Sequence, residues 1–224
     1  MSDARRVPRR RNLSEDVAEY IREGIMSGAL RPGTRIDQDA IAADLGVSRL
    51  PVREALISLD KEGLINTIPR RGAFVARMER EDVLDHYQLF GQVAGLAAAR
   101  AAARLSEADI ERLADVHSRM HATGSRDEQR KLNDEFHRVI NKAAGSARIT
   151  SMVGLLARSL PMPYVDFPDS WLDEADRQHQ EIIEALRRRD TLAAQRAMEQ
   201  HINLSGRHAV NVLEGMGFFD SESA

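Results

Sequence analysis

DLGVSRLPVREALISLDKEGL, residues 44–64, reads as turn, helix and stop. Gly46 breaks a preceding helix and Ser48 is a fitting N-cap. Arg49 to Glu62 then follow with Pro51 in the first turn, where a missing N–H costs nothing. Val52, Ala55, Leu56 and Leu59 make one apolar stripe, and Gly63 is a natural stop beyond the last turn. Off that stripe, Arg49 and Arg53 lie four residues apart and share a face near the helix N-terminus. A short helix, a glycine turn and a second helix opening on Ser and two Arg is the arrangement of a recognition helix. Its N-terminus and Ser48 can bond phosphate, and the arginines can reach phosphates or guanine edges. An amphipathic helix with two solvated arginines would read the same over these residues, so the flanking segments decide.

Upstream, Ser14 is placed to cap a first helix with Val17, Ile21 and Ile25 on one face, ended by Ser27-Gly28. Arg31-Pro32-Gly33 is a turn, Thr34 to Ile36 an extended piece, and Asp37 caps a second helix with Ile41 and Leu45 as its buried positions. Downstream, Leu64–Ile68 and Ala73–Ala76 flank Pro69-Arg70-Arg71-Gly72 and read as a β-hairpin. After a helix-turn-helix such a hairpin is a wing, with Arg70 and Arg71 at its tip and Gly72 permitting close backbone approach to a groove. Residues 13–77 resemble the winged helix of the GntR family of bacterial transcription regulators, on the stretches LRPGTRI, LGVSRLPVREAL, LDKEGLI and PRRGAFVA. The resemblance implies that Ser48, Arg49, Arg53 and Gly72 fall at DNA-contacting positions. Leu50 stands where the family often has Thr or Ser, which removes a hydroxyl contact.

Composition agrees with two modules. The chain has 224 residues, 42% hydrophobic but only 4% aromatic, rich in Ala and Leu, which favours helix over strand. It has no apolar run of membrane-spanning length. The basic N-terminus, MSDARRVPRRRN, lacks the apolar stretch of a secretory signal, and no cysteine is present for a disulfide or a thiolate metal site. These features fit a cytoplasmic protein. Residues 1–77 carry 14 Lys+Arg against 11 Asp+Glu, a net +3, and the remainder is −6, so a basic front is joined to an acidic back. Residues 1–12, with five arginines, read as a disordered basic arm.

Residues 78–81 read as a linker. From 82 the pattern is helical throughout, over about 82–104, 106–123, 127–144, 149–160, 169–188 and 191–214, with 215–224 as a tail. The expected fold is mainly α: an N-terminal winged helix-turn-helix followed by an all-α helical bundle over 82–214. Three of the seven histidines lie on three different helices beside core positions: His137, four residues after Asn133; His179, near Ile182, Ile183 and Leu186; and His201, beside Ile202. Three imidazoles and one oxygen would hold a divalent metal and leave positions open for water or a ligand. Hydrogen-bonded structural histidines would give the same spacing. His117 and His121 form a competing i, i+4 pair, read as mostly exposed.

The stretches NDEFHRVI, RQHQEIIEAL and AAQRAMEQHI resemble the FCD ligand-binding domain of the FadR subfamily of GntR regulators, over about 82–213. The resemblance implies that Asn133, His137, His179 and His201 ligate a divalent metal (Zn, Ni or similar) and that a small-molecule effector binds beside it. Two positions depart from the pattern. Asn133 stands where many members have Asp, and Asp134 points about 100° away on the helix. Phe90, in HYQLFGQVAGL, stands where many members have an arginine that pairs with a carboxylate effector. Arg100, Arg148 and Arg158 are the candidates to replace that charge, with a carboxylate or a larger, less acidic effector in view.

The expected function is a DNA-binding transcription regulator, a repressor whose operator affinity is changed by an effector at a metal-containing pocket. It would act as a homodimer on a near-palindromic double-stranded operator, with Arg49, Arg53, Arg70 and Arg71 on the DNA. The alternatives are a regulator for which the metal is itself the signal, and a metal-dependent hydrolytic enzyme. The sequence offers no HExxH and no acidic residue placed as a general base, so no catalytic residue is assigned.

Overall fold

The computed structural model describes residues 13–160 and 169–219. The expected basic arm, residues 1–12, lies outside the described residues. The chain divides into two compact units, Met1–Arg77 and Met78–Ala224.

In the first unit, α1 (Leu13–Met26), α2 (Gln38–Asp44) and α3 (Arg49–Lys61) precede the hairpin of β1 (Ile65–Ile68) and β2 (Gly72–Val75). Leu13 is already helical, so Ser14 sits inside α1 rather than capping it. Asp37 accepts hydrogen bonds from the N–H groups of Asp39 and Ala40, which satisfies the start of α2. The predicted stripe of α3 is buried with Val17, Ile21 and Ile25 of α1 and with Leu64, Ile65, Ala73 and Val75 of the hairpin. The strands pair antiparallel from Ile65↔Val75 to Ile68↔Gly72, and Arg35 bridges to Phe74 along the other side of β2.

One buried feature of this unit has no apolar signature. Arg22, 1% exposed, sends its guanidinium from α1 to Glu62 at the end of α3 through two bonds of 2.9 and 3.1 Å. Its Nη1 donates to Glu19 at 2.8 Å, and Nη2, shared with Glu62, donates to Glu15 at 3.3 Å. The clamp fixes the C-terminal end of α3 to α1, and so helps set how α3 is presented.

Among the described residues the regular elements of the second unit are all helices: α4 (Arg80–Ala102), α5 (Glu107–Ala122), α6 (Arg126–Ala143), α7 (Ala147–Ser159), α8 (Asp169–Arg187) and α9 (Thr191–Gly215). Asp82 accepts from the N–H of Glu79, so α4 begins two residues earlier than the sequence pattern suggests and shortens the linker. Ser106, Ser125, Ser146 and Asp190 each cap the helix that follows. α4 and α9 pack along much of their length because small residues let the backbones close: a Cβ on Gly206 would lie 2.5 Å from the Tyr87 Cβ, and one on Gly95 3.0 Å from the Gln195 carbonyl. The expected tail is packed at its start, since Phe218 is buried and its N–H bonds the Leu213 carbonyl. Among the described residues no helix is long and apolar enough to cross a membrane.

Candidate metal and effector site and candidate nucleic-acid interface

α6, α8 and α9 carry His137, His179 and His201 to one point of the bundle. The Nε2 of His201 lies 3.2 Å from the Nε2 of His179 and 3.2 Å from the Nε2 of His137. His179 and His201 are 1% and 2% exposed, and the three offer ligand atoms within 4.8 Å of one another. Asn133, one turn before His137 on α6, has a buried Oδ1 with no hydrogen-bond partner. A buried, unpaired amide oxygen costs free energy unless something accepts its lone pairs. The donor set, three imidazole nitrogens and this oxygen, fits a divalent ion of the borderline class.

The orientation of His201 follows from its neighbours. Glu174 can only accept, so the Gln178 side chain turns its NH2 towards Glu174 Oε1 at 3.1 Å. The Gln178 carbonyl oxygen therefore faces His201 Nδ1 at 3.2 Å, and that nitrogen must carry the proton. The lone pair of His201 Nε2 is left pointing at the other two histidines, as a metal ligand requires. Burial holds all three imidazoles neutral. It pushes His137 down to about 4. His179 and His201 lie well below the ordinary value, by burial first and then by neighbouring imidazoles.

The site opens on a cavity of about 710 Å³. Its apolar walls include Phe90 and Ala94 of α4, Val153 and Leu156 of α7, Trp171 of α8 and Ile202 of α9. α7 is tied to α4 by His86 Nε2, 3.0 Å from the Leu156 carbonyl, and by the Tyr87 hydroxyl, which donates to the Leu160 carbonyl at 3.3 Å. Arg130, Arg138, Lys142 and Arg158 bring positive charge to the lining, against one acid among the described residues, Asp134. Arg158 is accommodated because Gly154 lacks a side chain: a Cβ there would lie 3.2 Å from its Nη1.

In the first unit, Ser48 occupies the N-cap position of α3, but its hydroxyl makes no capping bond. Arg49, exposed, pairs with Asp39 of α2 at 2.6 Å, whereas Arg53 is exposed with no ion pair among the described residues. Leu50 is 64% exposed beside them. In the wing, the Arg71 N–H bonds the Ile68 carbonyl, and Arg70 has φ +65°, a left-handed conformation that usually falls to Gly at that place in a turn after Pro. Arg71 lies over the Phe74 ring at 5.9 Å. Gly72 has φ +109° and leaves room for Arg35, whose Nε would be 3.1 Å from a Cβ.

Residues 13–75 match the bacterial regulatory proteins of the gntR family, and residues 85–204 match the FCD domain. The chain belongs to the GntR family of regulators. An HTH-type transcriptional regulator of Mycobacterium tuberculosis is 30% identical over 186 residues, covering 82% of this chain and 75% of that protein. The HTH-type transcriptional repressor RspR of Escherichia coli is 28% identical over 199 residues, covering 85% and 86%. Among solved structures, E. coli McbR/YncC superposes with a TM-score of 0.65 at 21% identity, covering 85% of this chain and 93% of that one, which shows a shared fold. This GntR protein is thus a DNA-binding transcription regulator with an FCD domain, and its relatives are regulators rather than enzymes.

Within this GntR fold, Asn133, His137, His201, Phe90 and Arg158 all line the 710 Å³ cavity, and His179 meets His201 behind it. Arg148, also expected at the effector, is exposed on α7 and does not line the cavity, and Arg100 of α4 does not line it either. His117, read as mostly exposed, is largely covered: its Nε2 lies 2.9 Å from Asp176 Oδ1, and the exposed His121 reaches the same oxygen at 3.3 Å. That pair is engaged by a carboxylate of α8, and the His117 ring packs edge-on against His179 with centroids 6.1 Å apart. Gln178 was missed by sequence reasoning. Its position next to His179 was visible, but that it turns towards His201 was not, because the partner lies on another helix.

Proposed function

We propose that the protein is an operator-binding repressor whose second unit holds a divalent metal on Asn133, His137, His179 and His201 and senses a small organic effector in the adjoining cavity. The observation that carries this reading is the convergence of three neutral imidazoles with an orphaned amide oxygen at the wall of a 710 Å³ cavity. Zn2+, Ni2+ or a similar ion bound there would supply a Lewis-acidic anchor for an oxygen of the effector. Phe90 would pack against its apolar body, and Arg158 would meet an anionic group such as a carboxylate.

In the first unit, Arg49 and Arg53 read bases or fix phosphates from α3, Ser48 bonds phosphate with its uncapped hydroxyl, and Arg70, Arg71 and Gly72 carry the wing to an adjacent groove. One winged helix buries little DNA, so a homodimer on a near-palindromic operator supplies the rest. The name repressor is supported by the relative RspR.

The test is native mass spectrometry of the purified chain together with operator gel shifts on a site selected from random DNA. A dimer carrying one divalent ion per chain, with His179→Ala losing the ion but still shifting the operator, is the expected result. Unchanged metal stoichiometry in His179→Ala would overturn the site.

A further inference from the structure

The wing is wider than its hairpin. The N–H of Ile36 bonds the Ala73 carbonyl and the N–H of Val75 bonds the Thr34 carbonyl, so residues 34–36 run as a third extended segment along β2. These two bonds bracket Arg35 and Phe74 and make them a non-hydrogen-bonded antiparallel pair, the type whose side chains stand closest on one face. Ile36, Ala73 and Val75 are buried, so the alternate residues Arg35, Gly72 and Phe74 share the outward face. On that face the Arg35 guanidinium lies against Gly72, where a Cβ would come within 3.1 Å of Nε, and Arg71 lies over the Phe74 ring. Arg70 stands at the tip, exposed as the other two are. Three guanidinium groups thus gather on one small surface. Among the described residues none of them makes an ion pair with a carboxylate: Asp37, two residues from Arg35, accepts from the N–H groups of Asp39 and Ala40, and Asp60 from that of Thr67. Like charges repel, so a surface of this kind favours a polyanion.

We infer that Arg35 is the residue with which the wing reads DNA: it enters the minor groove and favours A·T pairs there, while Arg70 and Arg71 fix the phosphates beside it. The inference rests on the wing reading above and deepens it. With α3 in the major groove, the next groove across one phosphate backbone is the minor groove. A·T-rich segments narrow that groove and deepen its negative potential, which draws in a guanidinium, whereas a G·C pair puts the guanine 2-amino group in the way. Arg35 suits the task because its guanidinium is planar, weakly hydrated and unpaired among the described residues. It also springs from paired backbone and rests against Gly72, whereas Arg70 springs from the turn and Arg71 is occupied by the Phe74 ring. Gly72 then has a part that its place in the sequence does not announce. Its missing side chain lets a guanidinium cross the wing, besides letting backbone approach the DNA.

The experiment selects operators from random DNA with the full chain, then measures affinity for them by fluorescence anisotropy from about 50 to about 200 mM KCl. The parent is expected to select an A·T-rich segment beside the bases read by α3. Replacing that segment by G·C should weaken the parent about tenfold. Inosine·C, which lacks the 2-amino group but keeps the major-groove edge of G·C, should restore it. Arg35→Ala is expected to bind all three flanks alike, at the level of the parent on G·C. Arg35→Lys, which keeps the stem and the charge, is expected to retain the salt dependence and lose most of the A·T preference, because an ammonium is the more strongly hydrated. Arg71→Ala should weaken all three flanks equally and reduce the salt dependence. Circular dichroism checks that each variant folds. An Arg35→Ala protein that keeps the parent's flank preference, or that weakens every flank equally as a lost phosphate contact would, overturns the inference. If Arg70→Ala and Arg71→Ala still weaken binding in that case, the wing reading stands. If none of the three alanine variants changes affinity or salt dependence, the wing reading falls as well.

Discussion

Replacing Glu62 by Gln tests what holds α3 in place. The Arg22 guanidinium is 1% exposed and the Glu62 side chain 4%, so their paired bonds at 2.9 and 3.1 Å lie out of water. Removing one partner of a buried pair typically costs about 3–5 kcal/mol, because the other charge is left uncompensated. Here Glu19 at 2.8 Å and Glu15 at 3.3 Å remain on the guanidinium, both half-exposed and therefore weaker partners, and Gln keeps one accepting oxygen. The cost expected for Glu62→Gln is accordingly at the low end, about 3 kcal/mol. For a unit of this size that lowers the melting temperature by roughly 12–24 °C. The double variant Arg22→Met, Glu62→Leu removes both charges and fills the space with apolar groups, and it is expected within about 1 kcal/mol of the parent. Thermal denaturation of the full chain, followed by circular dichroism, reads the first transition. A Glu62→Gln protein as stable as the parent, or a double variant worse than Glu62→Gln, would refute the reasoning.

Gln178→Leu removes the group that fixes the His201 proton and should weaken zinc binding about 10–100-fold without unfolding the bundle, as read by competition with a chelating dye. Asp39→Ala frees Arg49 from its 2.6 Å partner and removes a negative charge beside α3; gel shifts should show tighter operator binding, whereas Arg49→Ala should cost about 1–3 kcal/mol if the guanidinium makes a bidentate base contact. Metal-free protein should lose stability on acidification. His137 is held down to about 4 by burial, so between that value and its ordinary 6.5 the unfolded chain binds the proton and the folded one does not. The stabilising contribution is present above 6.5, falls by about 1.4 kcal/mol per pH unit within the window, and is diminished in His137→Gln; a flat denaturation midpoint from pH 7.5 to 5.0 in EDTA would contradict this.

Much of this was readable from the chain because the signals were local. Caps and stops at Asp37, Ser106, Asp190 and Gly63 act on the residues beside them, and the apolar stripes of α1 and α3 recur at helical spacing, so elements could be placed to within a residue or two. The residues that escaped depend on partners distant in sequence. Arg22 looked like any charged helix residue until its partner forty positions on, Glu62, was in place. His117 seemed exposed because nothing nearby announced Asp176. Arg148 and Arg158 were indistinguishable on paper, and only the turn of α7 decides that Arg158 reaches the cavity.

The three histidines illustrate how a site can be legible in its ligands and illegible in its balance. Their spacing names them, since each sits beside a core position on its own helix. What the spacing omits is the surroundings: an amide instead of a carboxylate behind His201, an acid turned away to His117, and an orphaned oxygen at Asn133. Those neighbours set the charge and polarity that a bound ion would meet. The elements involved also differ in how they are held. His201 rides on α9, whose close seam with α4 is set by Gly95 and Gly206, so it stands with Tyr87 and Phe90 in one wall. His137 comes from α6 and His179 from α8. An ion bound by all three would join that wall to two further helices.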